Sequence, residues 1–236
     1  MPGVARLSGE QVKAGLERAV QWFPLVGALI GATTAATMLL AEQIWPRIVA
    51  VILALIVEAR LTGAFHEDAV ADFCDGMGGG RDSEHVRQIM KDSRIGSYGA
   101  LGLLLAVALR AGLMFSLEAQ HATLAIIAAA TFGRLLTVIT MAVVAPAPGG
   151  EGLAKSVGSG VRRRDVALAG LSAVPGLLPY ALFAPLASLL SFAAGGVFLI
   201  WFRYLLIRRI GGSTGDCLGF AAYAGQTLLL LAAVAC

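Results

Sequence analysis

The chain has 236 residues, 58% hydrophobic and 14% charged, with mean hydropathy +0.79, net charge +3 and a pI near 9.0. Soluble domains carry roughly 45–50% apolar and about 25% charged residues. A core of this size cannot hide the difference, so a soluble globular protein is excluded and an all-α polytopic integral membrane protein is expected. The slight basic excess is what cytoplasmic loops supply, and no nucleic-acid partner is expected.

In chain order, the polar stretch Met1–Arg18 carries charges of both signs, so no cleavable signal peptide is expected. Val12, Leu16, Ala19 and Val20 recur at a helical period. That fits an N-terminal amphipathic segment over 1–21, either lying at the membrane interface or packed on cytoplasmic loops. A span needs roughly 20 apolar residues. Candidates are Trp22–Leu40, Pro46–Thr62, Tyr98–Leu117, Ala122–Ala145, Val166–Pro185, Leu186–Leu206 and Leu218–Ala235, a single-domain bundle of about seven transmembrane helices. The fifth and sixth form one apolar stretch, divided near Pro185, and Pro175 and Pro179 make the fifth the least regular.

Charge orients the bundle. Arg81, Arg87, Lys91 and Arg94 lie between spans two and three, with Arg60 at the end of span two. Lys155 and Arg162–Arg164 lie between four and five, and Arg203, Arg208 and Arg209 end span six. The opposite connections hold few basic residues. The rich loops are therefore cytoplasmic, with the N-terminus inside, the C-terminus outside and residues 63–97 forming a cytoplasmic loop. The three cysteines, Cys74, Cys217 and Cys236, lack metal-ligand spacing and are expected to be reduced thiols.

Most polar information lies in that loop. Asp68, Asp72 and Asp75, at i, i+4 and i+7, share one helix face. Like charges so spaced repel by about 3 kcal/mol per pair at an effective dielectric near 20, unless a cation offsets them. Their neighbours Ala69, Val70, Ala71, Phe73 and Cys74 make this a helix that packs, which favours metal ligation over a solvated face. Hard oxygen ligands suit Mg²⁺, which usually arrives with a phosphorylated substrate. Glu67 falls off the stripe and reads as a surface charge. His66 is either an acid–base group or a polar cap on the span.

The run Gly76-Met77-Gly78-Gly79-Gly80 is expected to end the helix, with Gly79 and Gly80 in a flexible linker or a loop that approaches phosphate. A short polar helix follows over Arg81–Gln88. Lys91 and Arg94 supply cations for phosphate oxygens, and Asp92 either completes the metal shell or orients Arg94. Arg134 lies mid-span, where a cation faces a cavity or a partner. Arg110 is read as snorkelling from the outer end of span three. Asp216, in the turn Gly211–Asp216, is either an ordinary cap or a second phosphate or metal contact. Gly149–Lys155 reads as a flexible loop.

Phe23-Pro24-Leu25-Val26-Gly27, the motif His66–Gly76 with Gly78–Asp82, the segment Ile89–Gly96, Gly152-Leu153 and Gly212–Gly219 together resemble the cobalamin synthase (adenosylcobinamide-GDP ribazoletransferase) family. The likeness covers residue 20 to the C-terminus, with the family's usual N-terminal stretch not recognisable before Ala19. Two positions depart from its pattern: Glu67 replaces an apolar residue and Ala69 a glycine. The resemblance implies an Mg²⁺-dependent transferase at the cytoplasmic face of a bacterial inner membrane, with homo-oligomerisation left open. It would join adenosylcobinamide-GDP to α-ribazole, or to its 5′-phosphate, and release GMP. It implies Asp68, Asp72 and Asp75 as metal ligands. Gly79, Gly80, Lys91, Arg94, Arg134 and Asp216 would bind substrate. His66, Asp75 or Asp92 would accept the hydroxyl proton. Two other classes stay open. A CDP-alcohol phosphotransferase-like lipid enzyme would need a fuller aspartate series, with an Ala-Arg pair, that is absent here. A cation transporter would carry its acids in mid-span rather than at a membrane edge.

Overall fold

The computed structural model describes residues 15, 18–148 and 161–236. The Gly149–Lys155 loop and most of the N-terminal amphipathic segment lie outside these residues. Among them are nine α-helices and no β-strand. We number them α1 (Phe23–Glu42), α2 (Arg47–Thr62), α3 (Phe65–Gly79), α4 (Ser83–Met90), α5 (Ser97–Ser116), α6 (Ala119–Val143), α7 (Arg163–Phe183), α8 (Pro185–Arg209) and α9 (Gly215–Ala235). The short turn Val20–Trp22 leads into α1.

Helices α1 and α5–α9 are each long and apolar enough to cross a membrane. The expected second span differs. Helix α2 has 16 residues and bends by 88° into α3, so the two together make a broken seventh span or a re-entrant element. The protein is thus a multi-pass membrane bundle of six or seven spans. Helix α7 runs unbroken through Pro175 and Pro179, and the division from α8 falls at Ala184, with Pro185 opening α8.

Helix α6 is the central post: 78% of its most apolar stretch is buried, against 22% for α5. Small residues let neighbours close on it. A side chain at Gly31 of α1 would lie 2.8 Å from the Ile127 Cα, and one at Gly225 of α9 would lie 2.7 Å from the Gly133 Cα. At the rim, Leu182 of α7 and Ile200 of α8 are exposed, as lipid-facing residues are.

Arginines tie down the helix ends. Arg209 donates to the Met77 and Gly80 carbonyls at the end of α3, Arg87 to Ile210 after α8, and Arg203 to Val143 at the end of α6. The segment after α6 pairs with the turn before α9 through Ala147 N–H to the Ser213 carbonyl and Ser213 N–H to the Ala145 carbonyl. One end of the bundle therefore gathers α3, α4, the starts of α5 and α9, and the ends of α6 and α8. Several basic residues read as orientation signals also serve here as helix caps.

Candidate active site

The bend that aims α3 is built from two consecutive left-handed residues, Gly63 (φ +68°) and Ala64 (φ +56°). Glycine adopts this region freely; alanine does so at a cost of about 1–2 kcal/mol. Strain of this kind persists where the surrounding packing enforces it, and it concentrates at functional sites. Past the bend, His66, Glu67 and Asp68 occupy the first turn of α3, with the acids at its positive end.

Asp68 and Asp72 share a face of α3 as the spacing predicts, while the carboxylate of Asp75, one turn on, is engaged by backbone N–H groups. It is buried, its Oδ2 accepts the Gly96 N–H at 2.6 Å and its Oδ1 accepts the Gly99 N–H at 2.7 Å. These are orphan donors at the start of α5, so Asp75 caps a neighbouring helix. A further acid, Asp216, stands in the first turn of α9 behind the Thr214 cap. It feels the charge of Asp68, and Asp72 feels those of Asp68, Asp216 and Asp75.

Among the described residues no three His, Cys, Asp or Glu side chains are grouped to hold a metal ion by themselves. The donor set still fits Mg²⁺. That ion is usually bound through one or two carboxylates plus substrate phosphates and water. Asp68, Asp72 and Asp216 crowd like charge together, with no ion-pair partner for any of them among the described residues.

The glycine run ends the helix as expected, at its far side, with Gly80 as the C-cap. Helix α3 continues through Gly79, and the Gly80 N–H is engaged by the Gly76 carbonyl at 2.9 Å. The glycines are required for packing: a side chain at Gly78 would strike the Tyr98 ring, and one at Gly80 the Val86 side chain. Ala69, where the resemblance expects glycine, sets its methyl group against Gly219 of α9.

Helix α4 begins two residues later than read, with Asp82 accepting the Glu84 and His85 N–H groups at 3.0 and 2.9 Å. Those bonds hold the Asp82 carboxyl below its ordinary range. Lys91 is exposed at the end of α4. Arg94 is exposed and wraps Asp92 in a fork, with Nε at 3.0 and 3.2 Å and an Nη at 2.6 Å. Hydrogen bonds from Arg94 hold the Asp92 carboxyl at about 2. Of the two alternatives for Asp92, the geometry is that of an orienting partner for Arg94, and a carboxyl held so low is a weak proton acceptor.

Deeper in the bundle lies a charge cluster that the sequence reading missed. Arg110 does not snorkel. It is 3% exposed and its guanidinium meets the Glu58 Oε1 and Oε2 at 2.8 and 2.7 Å. Thr34 donates to the same carboxylate at 2.8 Å. Glu67 is not a surface charge but lies 3.7 Å from Arg110, and Tyr223 offers its ring face to the same cation at 5.6 Å. A Glu inside the otherwise apolar run of α2 was the available signal for Glu58.

Arg134 is also buried, 6% exposed, yet its hydrogen bond goes only to the Ala130 carbonyl of its own helix, at 3.0 Å. No carboxylate among the described residues pairs with it. Arg134 and His66 line a cavity of about 310 Å³ together with Phe23, Val26, Phe65 and Met141. Gly215, next to Asp216, closes one side of it. The His66 Nδ1 is buried without a hydrogen-bond partner. The site thus brings together His66, Arg134 and the start of α9, with Asp68 and Asp72 along the same helix as His66. Asp75 instead caps α5, and Gly80 makes room for Val86.

The sequence model described as cobalamin-5-phosphate synthase matches residues 4–234, so the likeness extends further toward the N-terminus than the motifs alone reach. Among curated relatives, a protein named adenosylcobinamide-GDP ribazoletransferase from Ralstonia nicotianae is 39% identical over 226 residues, 92% of this chain and 84% of its own. The protein of the same name from Ralstonia pickettii is 38% identical over 232 residues, covering 92% and 85%. That from Vibrio cholerae is 34% identical over 221 residues, covering 92% and 82%. No solved structure matches the chain.

Proposed function

The chain belongs to the cobalamin-5-phosphate synthase family, and from that premise we propose that it is an adenosylcobinamide-GDP ribazoletransferase of cobalamin biosynthesis. It joins adenosylcobinamide-GDP to α-ribazole or its 5′-phosphate and releases GMP, in the inner membrane of a bacterial cell. The observation that carries the residue assignment is the pairing of unpartnered charges of opposite sign. Acids without cations stand on α3 and α9, and a buried cation without an acid lines the adjoining cavity.

In the reaction a ribazole hydroxyl oxygen forms a bond to the phosphorus that bears the cobinamide, and the bond from that phosphorus to the departing GMP breaks. Asp68 and Asp72, with Asp216 of α9, would hold Mg²⁺, which when bound would supply positive charge to offset that developing on the leaving nucleotide. Arg134 lines the adjoining cavity, where a phosphate carried on the acceptor would meet its fixed positive charge in a water-poor setting. Lys91 and Arg94 offer cations to the nucleotide from outside, Arg94 with its fork pre-oriented by Asp92. The hydroxyl proton passes to His66, whose Nδ1 is free, or to one of the acids of α3.

The bundle end that carries α3 and α4 faces the cytoplasm, since the basic residues concentrate there. Surrounding lipid is the remaining partner, and self-association stays open. The test is purified protein in lipid with adenosylcobinamide-GDP and α-ribazole, with and without Mg²⁺. Equimolar GMP and cobalamin, lost on chelation, are expected. Release of CMP from CDP-diacylglycerol and an alcohol, with no GMP from the cobinamide substrate, would overturn the proposal.

A further inference from the structure

Resting on the ribazoletransferase reading, we infer that the cavity lined by His66 and Arg134 is the subsite for the ribazole acceptor, and that Arg134 selects the 5′-phosphorylated form. Size is the first argument. About 310 Å³ lies at the lower end of the range for small-molecule sites, room for one nucleoside-sized ligand and far too little for a corrinoid carrying a nucleotide.

Lining chemistry is the second. Phe23, Val26, Ile30, Phe65, Met141 and Leu218 are apolar. The two lining threonines have their donors engaged already: Thr137 Oγ1 bonds the Gly133 and Leu218 carbonyls, and Thr62 Oγ1 bonds the Glu58 carbonyl. A guanine base would bring a polar edge of donors and acceptors into this wall and leave most of them unsatisfied. An alkylated benzimidazole brings methyl groups and a single ring-nitrogen acceptor, which suits a wall whose free polar side chains are His66 and Arg134.

Charge is the third argument. Arg110 is neutralised by Glu58, and Glu67 stands beside it, whereas Arg134 bonds only a backbone carbonyl. A desolvated guanidinium with open N–H groups is matched by a dianionic phosphate in a two-pronged contact. Access is available, since Val26 and Phe65 at the margin are 46% and 57% exposed.

The measurement is steady-state kinetics in lipid with α-ribazole and α-ribazole 5′-phosphate as alternative acceptors. Equilibrium dialysis of the phosphorylated acceptor alone runs alongside it, on wild type and two variants. Arg134→Gln should lower kcat/KM for the phosphorylated acceptor by about tenfold or more, and weaken its dialysis binding similarly, while free α-ribazole changes by less than about threefold. Met141→Trp, which fills the cavity, should raise KM for both acceptors by about tenfold and leave the KM for adenosylcobinamide-GDP within about twofold. Equal losses on both acceptors for Arg134→Gln, or a raised KM for adenosylcobinamide-GDP, would reject the assignment. So would unchanged acceptor KM in Met141→Trp, the result expected if the cavity holds a lipid tail. Wild-type protein that binds the phosphorylated acceptor in dialysis but forms no GMP would fail the transferase reading while leaving the subsite standing.

Discussion

Arg110 and Arg134 are both arginines deep inside apolar helices, and their sequence surroundings hardly tell them apart. Their partners do. Arg110 is neutralised by the Glu58 carboxylate, which Thr34 also bonds, with Glu67 and the Tyr223 ring beside it, although its Nε has no hydrogen-bond partner. Arg134 bonds one carbonyl of its own helix and turns toward a cavity. The carboxylates of α3 divide the same way, Asp75 satisfied by two backbone N–H groups and Asp72 facing only like charge. A buried charge matched by an opposite charge holds the fold, and a buried charge left without one is held ready for something the chain itself lacks.

The largest expected effect breaks the partnered arginine. Arg110→Met leaves Glu58 as an uncompensated buried charge and should cost about 3–5 kcal/mol of stability. Thermal unfolding in detergent measures it. The double variant Glu58→Gln with Arg110→Met should recover much of the loss, because a buried pair can be replaced together far more cheaply than it can be halved. A double variant no more stable than the single one would show that Arg110 holds the fold through contacts other than its carboxylate.

Asp72→Asn sharpens the comparison from the other side. It should remove at least about 2 kcal/mol of transition-state stabilisation, over tenfold in turnover. Stability should stay level or rise, since like-charge repulsion from Asp68 and Asp216 is relieved. Asp75→Ala should show the reverse balance. It orphans two N–H groups of α5 and should lower stability by about 1–2 kcal/mol, with turnover falling only as folded protein is lost. Equal effects of these two changes on turnover at matched folded protein would return Asp75 to the metal site.

The contrast between these acids also marks where the sequence stops being legible. Composition and apolar run lengths gave the all-α membrane bundle, because both are sums over local residues. The helical period placed Asp68 and Asp72 on one face for the same reason. It could not reveal that Asp75 is claimed by Gly96 and Gly99, 21 and 24 residues away, or that Glu58 meets Arg110 across 52 residues. The bend at Gly63 and Ala64 carries no proline and little warning, since an alanine with positive φ is imposed by packing. The glycines after Gly76 read as a loop because propensity is local, whereas their purpose is the approach of Tyr98 and Val86.

The smallest effect concerns a charge that is partnered and exposed at once. Arg94 is tied to Asp92 by its fork but stands in solvent, where an ion pair contributes little to stability. The Asp92 carboxyl is held down at about 2, below the ordinary value near 3.9. A depressed acid contributes stability above its ordinary value and loses it as pH falls through the folded one, so the pair is intact from pH 8 to pH 5 and its own contribution should be flat there. Arg94→Lys keeps the charge and loses the fork. It should leave unfolding unchanged and reduce kcat/KM for adenosylcobinamide-GDP by about threefold to tenfold. If Asp92 works by presenting Arg94, Asp92→Asn should produce a loss of similar size. The double variant should then be no worse than either single one, because both changes remove one arrangement. Additive losses in that cycle would mean that Asp92 and Arg94 meet the substrate separately, and wild-type kinetics for Arg94→Lys would leave this arginine as an anchor at the membrane surface.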